Sequence, residues 1–265
     1  NYGATVAYRG GGAIAAAKAG AVASMIRSVG PYSMRTPHTG GMFYDSTVAK
    51  IPHAAITSED ADMLHRMQSR GEKIVVTIEM EAATLPDAPS RNVIAELKGS
   101  MYPDEVIVMG GHTDSWDVGR GAMDDGGGVV VAWEAIRLLK RLGLTPKRTI
   151  RVVGWTNEEN GGRGGAGYRD AHKAELDKHV LAIESDGGVF APLGFGFTGS
   201  DSARAIVRQV SALLTRLRAD SLGANGGGAD VGPIMALGVP GMGLEVDGSK
   251  YFWFHHTDAD TMAQL

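Results

Sequence analysis

The chain has 265 residues, of which 43% are hydrophobic and 21% charged, and its formal charge is −4. So much apolar surface excludes a disordered chain. The acidic balance and the lack of a Lys/Arg block argue against a phosphate-tracking nucleic-acid binder. No apolar run approaches the ~18 residues a membrane span needs. With no cysteine, disulfides, thiolate metal sites and cysteine nucleophiles are all excluded, so any metal must be held by His and carboxylates. The 38 glycines are about twice the usual share and cluster, as tight loops at an active surface would require.

Residues 1–82 read as a small α/β unit. An Ala-rich pattern predicts a helix over 11–28. A short strand follows over 51–57. Ser58 is placed as an N-cap, with Glu59, Asp60 and Asp62 in the first turn, where the helix dipole favours acids. That helix is expected to stop at Gly71. Alternation of Val76, Ile78 and Met80 predicts a strand over 73–81. Two prolines in 85–90 mark a boundary, giving domains 1–88 and 89–265.

From Arg91 onward, strand, loop and helix alternate. Strands are predicted over 93–97, 105–109, 148–155, 180–185 and 239–246. Helices are predicted over 129–142 and 202–217, the latter with an apolar stripe of Ile206, Val210, Leu213 and Leu217. This order predicts an α/β three-layer sandwich around a mostly parallel, mixed central sheet.

Ligands bind at the carboxyl ends of strands in such sheets. Each predicted strand end is followed by His, Asp or Glu: His112 and Asp114, then Asp124 and Asp125, then Glu158 and Glu159, then Glu184 and Asp186, and finally His255 and His256. Any one of them alone reads as a solvated loop residue. Together, Asp124, Glu159 and Asp186 would repel one another unless divalent cations sat among them. Neutral imidazoles and carboxylates suit zinc, with manganese or cobalt chemically allowed. Asp124, in a glycine-rich loop, is the natural bridge of a metal pair.

The segments GGHTDSWDVGRGAMDDGGG (110–128), RTIRVVGWTNEENGG (148–162), ESDGG (184–188) and YFWFHHTDADT (251–261) resemble the co-catalytic zinc peptidases of the aminopeptidase and glutamate-carboxypeptidase group. SWDVG, GAMDDGGG and YFWFHH point within it to the carboxypeptidase Q-like (plasma glutamate carboxypeptidase) branch. By position, the resemblance implies two zinc ions, one held by His112 and Asp186 and the other by Glu159 and His256, with Asp124 between them. It implies Glu158 as general base, Asp114 as the group fixing the second nitrogen of the His112 ring, and a cis Asp124–Asp125 peptide. Glu184 competes with Asp186, and the family pattern favours Asp186. His255 competes with His256, and H-T-x-x-D-T favours His256. Asp230, Tyr251 and His255 are weaker candidates for substrate contacts. His38, His53, His65, His172 and His179 have no partner pattern and read as surface or packing residues.

The first unit resembles a protease-associated insert that shapes substrate access, incomplete at its N-terminus. A C-terminal helix of the family is expected beyond residue 265. The activity implied is hydrolysis of small unblocked peptides, dipeptides among them, by a secreted or periplasmic homodimer. Other readings are an aminopeptidase of the same fold, a single-zinc glutaminyl cyclase-like transferase and a metal-free binding module. Gly194–Gly199 fits G-x-G-x-x-G only formally, since the Phe/Gly alternation reads as a strand. No G-x-S-x-G, Gly-Lys or H-E-x-x-H is present.

Overall fold

A computed structural model of the chain describes residues 2–30 and 34–264. It divides into two compact units: Asn1–Pro89 with Trp116–Arg120 and Phe252–Asp260, and Ser90–Ser115 with Gly121–Tyr251 and Thr261–Leu265.

In the first unit, helix α1 (Tyr2–Lys18) and strand β1 (Ser24–Arg27) replace the single helix predicted over 11–28. Glycines 10–12, one of the clusters that the composition predicts as tight loops, lie inside this helix. A Cβ on Gly10 would come 3.2 Å from the Phe43 ring, and one on Gly12 would come 3.0 Å from the His53 ring. Gly10 and Gly12 thus permit close approach at a cost in helix propensity, whereas a Cβ on Gly11 would meet nothing within 4 Å. Gly20, at φ +83°, ends the helix as a left-handed residue should. Strand β1 then pairs in parallel with β2 (His53–Ile56). Helix α2 (Ser58–Ser69) follows. Its N-cap is Thr57, one residue earlier than predicted: Thr57 is extended, and its hydroxyl accepts from the Asp60 amide at 3.0 Å.

Residues 73–81 alternate as a strand would but pair with no strand among the described residues. Val75 and Val76 are exposed there. Alternation supplies a face, and without a neighbour the backbone gains no ladder bonds from it.

The second unit is an α/β fold around a seven-stranded mixed sheet. Its strands are β3 (Val93–Leu97), β4 (Tyr102–His112), β5 (Arg148–Trp155), β6 (His179–Glu184), β7 (Pro192–Thr198), β8 (Ser221–Gly223) and β9 (Gly241–Val246). Their order is β3-β5-β4-β6-β9-β7-β8. The central run β5-β4-β6-β9 is parallel, whereas β3 runs antiparallel to β5 and β7 antiparallel to β9. Helix α3 (Gly127–Arg141) packs on β4 and β5. Helix α4 (Arg163–His172) meets the short α6 (Gly232–Met235), and α5 (Asp201–Ser211) lies on β7 and β8. The core gathers Val106, Val108, Val153, Trp155, Ala182 and Val231. These central strands are apolar on both faces, as parallel strands covered by helices require.

Helix α5 is shorter than predicted. It ends at Ser211 and tightens into a 3₁₀ stretch, Ala212–Leu217. Its stripe of Ile206, Val210, Leu213 and Leu217 is real as a pattern but exposed among the described residues. No helix is long and apolar enough to cross a membrane among the described residues.

Candidate metal centre

Register brings the strand ends level. His112 pairs with Trp155 across β4 and β5, and Gly110 pairs with Glu184 across β4 and β6. Two residues beyond Glu184, Asp186 therefore reaches the height of His112. His112 Nε2 lies 3.2 Å from Asp124 Oδ1 and 3.7 Å from Asp186 Oδ1. Two overlapping groups, His112–Asp124–Glu159 and His112–Asp125–Asp186, each place one ligand-type atom per residue within 4.8 Å of the others. Asp124 and Asp125 lie in a single π-type turn, Ala122–Gly126, and the peptide between them is cis.

Asp125 is a member that sequence reasoning passed over. Its two carboxylate oxygens accept from the His112 amide (3.1 Å) and the Gly128 amide (3.0 Å). A brace that close leaves no room for side chains: a Cβ on Gly111 would come 1.9 Å from Asp125 Oδ2, and one on Gly128 would come 2.5 Å from Oδ1. The Gly-Gly-His and Asp-Asp-Gly-Gly-Gly spacing carried this signal. With its oxygens occupied by amides, Asp125 is a brace, and Asp124 is the carboxylate turned toward the imidazole.

Asp114 holds His112 by a different atom than expected. The His112 Nδ1–H donates to the backbone carbonyl of Asp114 at 2.9 Å, with the carboxylate farther away at 3.7 Å. The Asp114 carboxylate instead accepts from the amides of Glu158 (3.0 Å) and Glu159 (3.2 Å). One residue thus orients the ring and anchors the turn bearing both glutamates. Glu184 turns away from the donor group: its carboxylate accepts from the Val231 amide at 2.8 Å, and a Cβ on Gly228 would come 1.9 Å from it. Asp230 is buried, and neither of its carboxylate oxygens is hydrogen-bonded among the described residues. Tyr251 is also buried.

Residues 92–265 match the model of peptidase family M28. The chain belongs to peptidase family M28. Among its relatives, carboxypeptidase Q of Xenopus laevis is 55% identical over 262 residues, covering 99% of this chain and 56% of that protein. The mouse carboxypeptidase Q is 54% identical, with 98% and 56% covered. The chain thus spans about half the length of the curated relatives it matches. The crystal structure of a peptidase M28 precursor from Shewanella amazonensis matches at TM-score 0.94 and 41% identity, over 100% of this chain and 60% of that one. A zinc aminopeptidase from Bacillus subtilis matches at TM-score 0.63 and 20% identity, over 95% of this chain and 61% of that one. It shares the fold.

The electrostatics of this M28 chain follow from burial. Burial alone would lower the His112 pKa, but hydrogen bonds and charge from Asp124 and Asp186 outweigh it and raise it well above the imidazole range. Burial, then the neighbouring carboxylates, raise Asp125 and Asp186. Burial pushes Glu158 up to about 7, and Glu184 likewise to about 7. Burial, then the charge of Glu184, pushes Asp230 up to about 8. Such a cluster retains protons because burial disfavours its charged forms and, after that, because its carboxylates repel one another when ionised. Divalent cations would take the place of those protons. One imidazole nitrogen and several carboxylates, gathered in two overlapping groups that share His112, fit zinc in ligand type and a co-catalytic pair in their clustering.

The remaining predicted ligand, His256, belongs to the first unit, with His255. There it groups with His38, within ligand reach of both. His38 corrects the sequence reading, which gave it no partner: it is buried, and its Nε2 lies 3.1 Å from His255 Nδ1. No local pattern could have shown a partner 217 residues away. His53 is a packing residue as expected, 2.6 Å from the Ser24 hydroxyl. His172 and His179 flank Tyr168, whose hydroxyl accepts from Arg151 at 2.8 Å and lies 2.8 Å from His179 Nε2.

Proposed function

We propose that this chain carries the catalytic domain of a two-zinc exopeptidase that hydrolyses small unblocked peptides, dipeptides among them, in the manner the name carboxypeptidase Q implies for its relatives. The observation that carries the reading is the buried group at the strand ends, where His112, Asp124 and Glu159 converge, with Asp186 also within reach of His112. His112 and Asp186 would hold one ion, Glu159 and His256 the other, and Asp124 both. A bound zinc pair supplies Lewis acidity and water activation near neutral pH.

The chain's own groups do the rest. Glu158 sits beside the donor group, with its amide anchored by Asp114. Its carboxyl, pushed by burial to about 7, has the proton affinity of a group that takes a proton from water and returns it to a leaving amine. Asp114 keeps the His112 proton on Nδ1, so that Nε2 carries the lone pair. Asp125 locks the backbone between His112 and Gly128 by accepting a hydrogen bond from the amide of each.

The first unit, on its resemblance to a protease-associated insert, would shape access to the site. The resemblance to the carboxypeptidase Q-like zinc peptidases supports a three-layer sandwich, a secreted or periplasmic location and a homodimer. Sedimentation of the purified protein tests the last point: a monomer at micromolar concentration would exclude it. The activity is tested with a panel of free, N-blocked and C-blocked dipeptides in zinc. Cleavage of free dipeptides is expected, and loss on blocking one end identifies the mode. No cleavage of any of them by the zinc-loaded protein would overturn the reading.

A further inference from the structure

The adjacent His255 and His256 offer two imidazoles for one ligand position, and their rings stack at 3.7 Å between centroids. What distinguishes them lies in the segment at His38 and Thr39. Thr39 holds His256 twice: its amide donates to the His256 carbonyl at 2.9 Å, and its own carbonyl lies 3.3 Å from His256 Nδ1. A carbonyl can only accept. The His256 proton therefore sits on Nδ1, which places the ring lone pair on Nε2. Here φ is +58°, a conformation rare for a residue with a Cβ and kept where its surroundings impose it.

Arg9, on α1, governs both rings. Its Nη1 donates to the Thr39 carbonyl at 3.0 Å and to the Tyr2 hydroxyl at 3.1 Å and lies 3.4 Å from His38 Nδ1, while Nε donates to the Gly41 carbonyl at 3.3 Å. The guanidinium lies so close to Gly40 that a Cβ there would come 2.1 Å from its Cζ. A guanidinium has no acceptor, so His38 Nδ1 must accept, and its proton lies on Nε2. That N–H points at His255 Nδ1, 3.1 Å away, which must accept in turn. His255 then carries its proton on Nε2, and its lone pair is spent on His38. The His38 amide is itself held by the Ser28 hydroxyl at 2.9 Å, which donates to the Ile56 carbonyl at 2.8 Å.

We propose that the His38–Thr39 segment, pinned by Arg9, is a positioning element that sets opposite tautomers on two neighbouring histidines and thereby assigns the metal-ligand role to His256 and denies it to His255. The inference rests on the reading above that this His-His pair supplies one zinc ligand. The hydrogen bonds given above all lie within the first unit.

The test uses the full chain, labelled with ¹⁵N-histidine and stripped of metal, in long-range ¹H–¹⁵N spectra at pH 8. His256 is expected as the Nδ1–H tautomer and His255 as Nε2–H. Finding both rings in the same tautomer overturns the proposal. Arg9→Ala and His38→Ala are each expected to weaken binding of the second zinc at least about tenfold by calorimetry. Circular dichroism should stay unchanged, and His38→Gln, which can still donate to His255, should restore binding. Wild-type affinity for both zinc ions in Arg9→Ala and His38→Ala also overturns it. His256→Ala separates the two ideas. If it still binds two zinc ions, the ligand reading itself fails; if it loses one while the clamp variants bind normally, only the clamp fails.

Discussion

Stripping the metal from this protein should make its stability fall as pH rises. The cause is the proton load at the strand ends. Asp230 is held at about 8 by burial and the Glu184 charge, and Asp125, Asp186 and His112 are all raised. A group whose folded pKa lies above its unfolded value contributes stability below the unfolded pKa and loses it as pH climbs to the folded one. Between pH 6.5 and 8 the unfolded chain has already released its carboxyl protons, while the folded cluster is still releasing its own, Glu158 and Glu184 near 7 and Asp230 near 8. Each retained proton costs about 1.4 kcal/mol per pH unit. Asp230, half ionised by pH 8, alone thus accounts for ~1.6 kcal/mol across that window, or a fall in Tm of roughly 3–6 °C for a domain of this size. The window limits two opposing groups. His53 and His179, held below the imidazole range by burial, are about half protonated at pH 6.5 in the unfolded chain, so each opposes the trend by roughly 0.4 kcal/mol, nearly all of it below pH 7.5. It also lies well above the range of the exposed carboxylates lowered by local hydrogen bonds, such as Asp45 and Asp247. Scanning calorimetry in chelator at pH 6.5, 7.25 and 8 measures the slope. With saturating zinc the trend should weaken or reverse, since the metal replaces the protons. A metal-free Tm that is flat or rises over this window would refute the reasoning.

Other outcomes follow from single residues. Glu158→Gln should lower turnover at least ~10²-fold while zinc content by elemental analysis is unchanged; an active variant would remove Glu158 from its role. Gly111→Ala drives a methyl to within 1.9 Å of Asp125 Oδ2 and should cost metal affinity together with ~1–3 kcal/mol of stability from displaced buried hydrogen bonds. A variant that binds zinc normally would show that the Asp125 brace is dispensable. Tyr168→Phe removes the hydroxyl shared by Arg151 and His179. A loss of ~1–3 kcal/mol in urea melts is expected, with zinc stoichiometry unaffected.

The strands over 93–97 and 148–155 fall where the sequence placed them, because each is a short apolar run bounded by turn residues. The convergence of His112, Asp124, Glu159 and Asp186 was legible for a similar reason. Parallel strands covered by helices leave only their carboxyl ends for polar side chains, so the residues that follow each strand declare themselves. What stayed hidden depends on partners distant in the chain. The brace formed by Asp125 consists of hydrogen bonds accepted from the amides of His112 and Gly128, and Asp125 reads locally as one more loop acid. His38 gains its role from His255. The 73–81 pattern shows the converse, since periodicity describes one face and says nothing of whether a neighbouring strand exists. Glycines 10–12 misled for a third reason: a glycine inside a helix signals what lies against it, and sequence alone does not show Phe43 or His53 there.

Zinc counted per folded chain, by elemental analysis after equilibration and removal of loosely held ions, tests the dizinc centre most directly. Two equivalents are expected for the wild-type chain, and fewer for Asp124→Asn, which weakens the shared ligand. One equivalent or none in the wild-type chain would contradict the account, because the buried carboxylates at the strand ends would then tolerate one another without the pair of cations proposed to join them.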